Sequence, residues 1–104
     1  MAYAQITVAQ LQEMLAENEQ QAESTLTIFD TRDANAYAAG HIDSAHSLNN
    51  DTAPQLIDDT PMDHHVVVCC YHGISSQGVA GWLEDLGFEN VYSLMGGYAA
   101  WPKD

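Results

Sequence analysis

Five consecutive apolar residues, Val66-Val67-Val68-Cys69-Cys70, constrain this chain more than any other feature. The run is rich in β-branched side chains and has no polar alternation, so it predicts a strand buried on both faces. Strands of that kind sit in the middle of parallel sheets. Parallel neighbours need crossover connections, usually helical, so the rest of the chain must supply alternating strands and helices.

It does. A short strand ends at Ile6, and Thr7 with Gln10 three residues on forms a capping box. Val8, Leu11, Met14 and Leu15 hold helical spacing to about Asn18. Leu26 to Phe29 reads as a strand. Asp33 caps a short helix carrying Tyr37, and Gly40 stands at its C-cap. Ala45 to Leu48 is a weak third strand, and Pro54 opens a helix ending near Asp58. After the Val66–Cys70 strand and a Gly73-containing loop, a helix runs from about Ser75 to Leu86. Val79, Trp82, Leu83 and Leu86 are expected on one side of it, and Gly87 ends it. Val91 to Leu94 is the fifth strand, and Gly96-Gly97 turns into a last short helix with Tyr98 and Trp101. There is no internal repeat, low-complexity stretch or linker. The expectation is one α/β domain over residues 1–104, an open five-stranded parallel sheet with helices on both faces. Ligands in such sheets bind beyond the carboxyl ends of the strands, which is where Cys70 falls.

Composition narrows the partners. Two basic side chains against fifteen acidic ones give a formal charge of −13. Nucleic acids and anionic lipid surfaces need clusters of Lys or Arg, and this chain has Arg32 and Lys103 alone. Neither nucleic acid nor membrane is therefore an expected partner. The longest apolar run, Val66 to Tyr71, is far short of the roughly 20 residues that span a bilayer. Met1-Ala2-Tyr3-Ala4-Gln5 shows no signal-peptide pattern, which sets the expected compartment as the cytoplasm. Cys69 and Cys70 are neighbours in a strand and point to opposite faces, so they cannot act as a disulfide framework. No Cys/His spacing matches a zinc site, and no metal or other cofactor is expected.

The chemistry concentrates in Cys70-Tyr71-His72-Gly73-Ile74-Ser75-Ser76. A cysteine at a strand end, followed by a short loop and a helix N-terminus, meets unpaired N–H groups and the positive end of a helix dipole. These stabilise a thiolate and make a nucleophile. Gly73 permits positive φ, and Ser75 and Ser76 can cap the helix or donate to an anion. Cys69, one residue earlier, is expected to point into packing and to be inert. Arg32, the sole arginine, is read as a structural ion pair with a carboxylate such as Asp30 rather than as a donor-binding group. His41 is expected to bond backbone, and His72, within the loop, either to influence Cys70 or to be a solvated loop residue. Tyr98 and Trp101 are read as core, and Gly96 and Gly97 as points of close chain approach.

The loop resembles the active-site loop of single-domain rhodaneses, and within them the GlpE-type branch, where Cys-Tyr-His-Gly recurs. Asp30-Thr31-Arg32 through Tyr37 and Gly40-His41-Ile42 to Ala45 resembles the family's D-x-R…F/Y-x-x-G-H-I-x-x-A motif. Leu94-Met95-Gly96-Gly97-Tyr98-Ala99-Ala100-Trp101 resembles its closing L-x-G-G-F/Y-x-x-W motif. The resemblance implies a rhodanese-like fold and ping-pong sulfur transfer. The Cys70 thiolate takes the outer sulfur of thiosulfate, releasing sulfite. The persulfide then passes that sulfur to cyanide or a thiol acceptor, a thioredoxin-like protein being one candidate. A cradle of N–H groups on Tyr71, His72, Gly73, Ile74 and Ser75 is expected to hold the anion. The charged residues that many family members carry in this loop are replaced here by Ile74, Ser75 and Ser76. A cell-cycle-phosphatase reading needs C-x-x-x-x-x-R, and the sixth residue after Cys70 is Ser76. A sulfur-relay module loaded by a protein partner is the remaining alternative.

Overall fold

The computed structural model describes residues 3–103. Met1 and Ala2, the start of the N-terminal stretch considered above, lie outside the described residues, as does Asp104. The elements are β1 (Ala4–Ile6), α1 (Val8–Glu19), β2 (Leu26–Asp30), α2 (Ala34–Ala39), β3 (His46–Ser47), α3 (Ala53–Asp59), β4 (His65–Cys69), α4 (Ser75–Leu86), β5 (Asn90–Leu94) and α5 (Gly97–Ala100). All five strands pair in parallel, in the order β1-β5-β4-β2-β3. The apolar run occupies the centre, as its missing polar alternation requires.

β4 divides its side chains between two cores. Val67 and Cys69 join Leu11, Ile28, Ile42 and Leu94 on one face, covered by α1, α2 and α5. Val66 and Val68 join Phe29, Leu83 and Val91 on the other, covered by α3 and α4. The three valines are fully buried, and each contributes roughly 1.5–3 kcal/mol through removal from water.

Local signals act where the sequence places them. The Thr7 side chain accepts from the Gln10 N–H, and the Gln10 side chain accepts in return from the Thr7 N–H. Asp33 accepts from the Ala36 N–H at 2.9 Å and starts α2. Gly87, at φ 115°, ends α4.

Two expectations need correction. β4 ends at Cys69, so Cys70 is the first residue beyond the strand rather than its last. Its carbonyl turns away from the ladder to accept the Tyr98 N–H at 2.7 Å. On α4, Trp82 and Leu86 are 44% and 42% exposed and do not share the buried side. Ser76, Ala80, Gly81 and Leu83 make up the buried face instead. A stripe of small residues lets α4 lie close to the sheet, and the larger side chains are left outside it.

Candidate active site

Cys70 is 2% exposed and sits where β4 hands over to the loop leading into α4. Its Sγ accepts the Gly73 N–H at 3.1 Å and the Ser76 N–H at 3.3 Å. The first residue of α4 follows Ile74, whose side chain cannot cap, and no side-chain cap is present. The sulfur takes that place, accepting an N–H that the helix itself cannot satisfy. Ser75 and Ser76, read above as possible caps, lie inside the first turn of the helix.

Opposing effects set the acidity of Cys70. Burial pushes the thiol up. The nearby Ser76 and Ser75 hydroxyls, together with the hydrogen-bonded Ser76 and Gly73 N–H groups, outweigh it and bring the thiol down to about 7. Cys69 has no such donors. Burial, then the Asp30 carboxylate, push it up to about 12, and its S–H donates to the Cys70 carbonyl at 3.6 Å. The two neighbours therefore differ in charge state across the neutral range.

The loop is held from below. The Tyr98 N–H donates to the Cys70 carbonyl at 2.7 Å and the Ala99 N–H to the Tyr71 carbonyl at 3.0 Å, so the start of α5 clamps it. Gly97 makes this approach possible. A Cβ there would lie 2.4 Å from the Cys70 carbonyl oxygen and 2.6 Å from the Tyr71 carbonyl carbon. Gly73 adopts φ 86° and packs against the turn before α5. Gln77 Nε2 donates to the Gly73 carbonyl at 3.0 Å, and the Tyr71 hydroxyl donates to the Asp33 carboxylate.

Of the five residues expected to form the cradle, Gly73 donates its N–H to the sulfur. The N–H groups of Tyr71, His72, Ile74 and Ser75 are not bonded to it and have no other hydrogen-bond partner among the described residues. Tyr71, His72, Ile74 and Ser75 are exposed at the mouth. Ser76, outside that group of five, supplies the second N–H to the sulfur. The sequence signal for it is its position in the first turn of a helix whose N-terminus faces a cysteine.

Arg32 is a structural residue. Its guanidinium makes a bidentate contact with the buried Asp30 (Nε–Oδ1 3.0 Å, Nη2–Oδ2 2.7 Å), donates to the Gly40 carbonyl at 2.7 Å, and lies 4.0 Å over the Tyr98 ring. His41 Nδ1 lies 2.7 Å from the Tyr37 carbonyl, with its ring stacked on Tyr37. Tyr98 and Trp101 pack against the core. A cavity of about 1010 Å³ lies on the Cys69 side of the sheet, beside Arg32, Tyr98 and Lys103. Glu19 and Asp43 also line it and offset its positive charge. It does not include Cys70. Among the described residues no cluster of His, Cys, Asp and Glu is arranged to hold a metal ion.

Comparison with known proteins gives a consistent picture. Residues 7–104 match the rhodanese-like domain family. A thiosulfate sulfurtransferase GlpE of Pseudoalteromonas translucida is 40% identical over 101 residues, covering 97% of this chain and 90% of that protein. A protein of the same name from Shewanella oneidensis is 48% identical over 79 residues, 76% of this chain and 78% of that protein. The crystal structure of a rhodanese-like domain protein from Staphylococcus aureus superposes with a TM-score of 0.79 at 25% identity, covering 97% of this chain and 93% of that one.

Proposed function

This chain belongs to the rhodanese-like domain family, and on that premise we propose that it is a thiosulfate sulfurtransferase with Cys70 as its nucleophile. The observation that carries the reading is the Cys70 sulfur itself, buried, bonded by two backbone N–H groups and acidified to about 7. At neutral pH a large share is thiolate, the form that attacks sulfur.

The thiolate attacks the outer sulfur of thiosulfate. The Cys70 Sγ–S bond forms, the S–S bond of thiosulfate breaks, and sulfite leaves with the bonding pair. The negative charge now sits one atom further out, on the terminal sulfur. The N–H groups of Tyr71, His72, Ile74 and Ser75, which have no partner among the described residues, are the loop donors left to hold the charge on that outer sulfur. A second nucleophile then attacks the terminal sulfur and the electrons return to Cys70. Cyanide and small thiols are nucleophiles able to accept that sulfur. A thioredoxin-like protein thiol is the acceptor that fits the exposed Tyr71 and Ile74 beside it. The cytoplasm suits the reaction, since two free cysteines and a thiol acceptor both require reducing conditions.

The sulfur adduct separates this reading from an inert fold. After thiosulfate treatment, intact-mass spectrometry will show one added sulfur, absent from Cys70→Ser and retained by Cys69→Ser. Turnover with thiosulfate and cyanide will fall at least 1,000-fold in Cys70→Ser, the scale on which losing a nucleophile is felt. Sulfur found on Cys69, or none taken from thiosulfate, overturns the proposal.

A further inference from the structure

The loop N–H groups without a partner share a property at the other end of their peptides. A trans peptide sets the carbonyl of one residue antiparallel to the N–H of the next, and the described residues contain no cis bond. The Tyr71 N–H shares its peptide with the Cys70 carbonyl, which accepts the Tyr98 N–H at 2.7 Å. The His72 N–H shares one with the Tyr71 carbonyl, which accepts the Ala99 N–H at 3.0 Å. The Ser75 N–H shares one with the Ile74 carbonyl, which accepts the Gln77 N–H at 3.2 Å. The Ile74 N–H shares its peptide with the Gly73 carbonyl, and that carbonyl is held by a side chain, Gln77 Nε2 at 3.0 Å. Every carbonyl end is occupied and every N–H end is left open, which is the polarity an anion requires.

The Gly73–Ile74 peptide needs this hold most. Gly73 sits at φ 86°, and a glycine gives the peptide that follows it unusual freedom to turn over. Turned over, that peptide would present a carbonyl oxygen where the Ile74 N–H now stands, an acceptor in place of a donor. Gly73 is buried, so its carbonyl cannot simply exchange Gln77 for solvent without cost. Gln77, in the first turn of α4, is itself oriented. A carbonyl can only accept, so the amide nitrogen must face Gly73 and the amide oxygen must face away. There the Tyr3 hydroxyl donates to Oε1 at 3.2 Å, and Tyr3 packs against the core that contains Phe29 and Leu83.

We propose that Gln77 is a positioning residue for the persulfide, locking the Gly73–Ile74 peptide so that its N–H end serves the transferred sulfur, with Tyr3 setting the amide. The inference deepens the sulfurtransferase reading and rests on Cys70 being the reacting group. The step it serves is thiolate plus thiosulfate giving the Cys70 persulfide anion plus sulfite, with the Sγ–S bond formed and the S–S bond of thiosulfate broken. The N–H groups that bond Sγ in the empty protein, on Gly73 and Ser76, lie in other peptides. Gln77 therefore supports the loaded state and leaves the acidity of the free thiol alone.

The test compares two readouts. The first is the loading constant, the ratio of loaded to empty protein by intact-mass spectrometry across fixed ratios of thiosulfate to sulfite. The second is the pH midpoint of Cys70 alkylation by iodoacetamide with no sulfur donor present. Gln77→Met keeps the length of the side chain and removes the donor. It is expected to lower the loading constant about 10-fold, the scale of one hydrogen bond to a charged group, and to leave the midpoint in place. Tyr3→Phe removes the hydroxyl and leaves loop and helix untouched. It is expected to lower loading about two- to threefold, again with the midpoint in place. The double variant should load no worse than Gln77→Met alone. Unchanged loading in Gln77→Met overturns the proposal, as does a midpoint that rises along with the loss, since that marks collapse of the whole loop. Should Gln77→Met fail to fold, Tyr3→Phe decides by the same two readouts. Failure of the sulfurtransferase reading appears separately, as unaltered protein that takes no sulfur from thiosulfate, and the proposal falls with it.

Discussion

Cys69 and Cys70 are joined by one peptide bond, and both are buried, at 0% and 2% exposure. Both are shielded from solvent, yet one thiol, set deeper and beside Asp30, is pushed up to about 12 and the other is brought down to about 7. The difference is where the backbone goes next. At Cys69 the chain is still in the ladder, its carbonyl accepts the Thr31 N–H at 2.9 Å, and the side chain is surrounded by Leu11, Ile28 and Leu94. One residue later the strand has ended. The loop bends back so that the Gly73 and Ser76 N–H groups donate to the sulfur. Burial by itself makes a thiol inert. Burial beneath converging donors makes it reactive, because the donors replace the lost water and need no reorganisation when charge forms.

The sharpest way to break this comparison is selective alkylation. Midpoints near 7 and 12 correspond to roughly a 10⁵-fold difference in thiolate fraction at neutral pH. Iodoacetamide at pH 7 should modify Cys70 alone, as read by peptide mapping of the folded protein. Modification of both at similar rates would mean the loop donors do not control acidity.

A smaller effect comes from moving the donors without touching either cysteine. Gly97→Ala places a Cβ against the Cys70 and Tyr71 carbonyl groups and forces the loop away from α5. Turnover should fall by about 10- to 100-fold, since displacements near an ångström at a reacting centre cost on that order. The alkylation midpoint of Cys70 should rise while Cys69 stays unreactive. A variant with full activity would show that the loop is held by other contacts.

The smallest expected effect is electrostatic. Thiosulfate is a dianion approaching a chain of formal charge −13. Arg32 is neutralised by Asp30, and Lys103 Nζ is held by the Tyr98 and Trp101 carbonyls. Added salt should screen the long-range repulsion before it weakens the short-range N–H contacts. kcat/KM for thiosulfate should rise about two- to threefold between low and moderate ionic strength, with a smaller change in discharge to a neutral thiol. A falling profile would reveal a positive mouth at Cys70.

Much of this contrast is legible in the sequence. The run Val66–Cys70 announced a central strand, and a cysteine before Gly73 and a helical pattern announced a sulfur set at the head of a helix. Asp30 and Arg32 announced their ion pair, because a guanidinium two residues from a carboxylate in a chain with one arginine has few other uses. What was not legible depends on three-dimensional closure. Cys70 leaves the strand because α5, nearly thirty residues later, captures its carbonyl. Trp82 and Leu86 stay outside because the small residues of α4 bring the helix against the sheet. Ser93 lies in a stretch that reads as an ordinary strand, and its buried hydroxyl finds its partner only where β5 meets α4 at Ser76.

The sulfur's place at the head of α4 ties catalysis to the energetics of unfolding. A helix start ordinarily receives a Ser, Thr, Asp or Asn side chain that keeps the same charge throughout neutral pH or has none. Here the capping atom titrates. In the unfolded chain the Cys70 thiol has its ordinary value of 9.0, and in the folded protein about 7, so between those values the unfolded state binds more protons. The Cys70 contribution to folding stability should therefore be absent below pH 7, grow as pH climbs from 7 to 9, and level off above, a gain of about 2–3 kcal/mol at most. A persulfide is more acidic than a thiol and stays charged through that window, so the sulfur-loaded protein should show a flatter dependence of melting temperature on pH. Each turnover moves the capping charge outward by one atom and back, and the helix that helps create the nucleophile is stabilised by it in return.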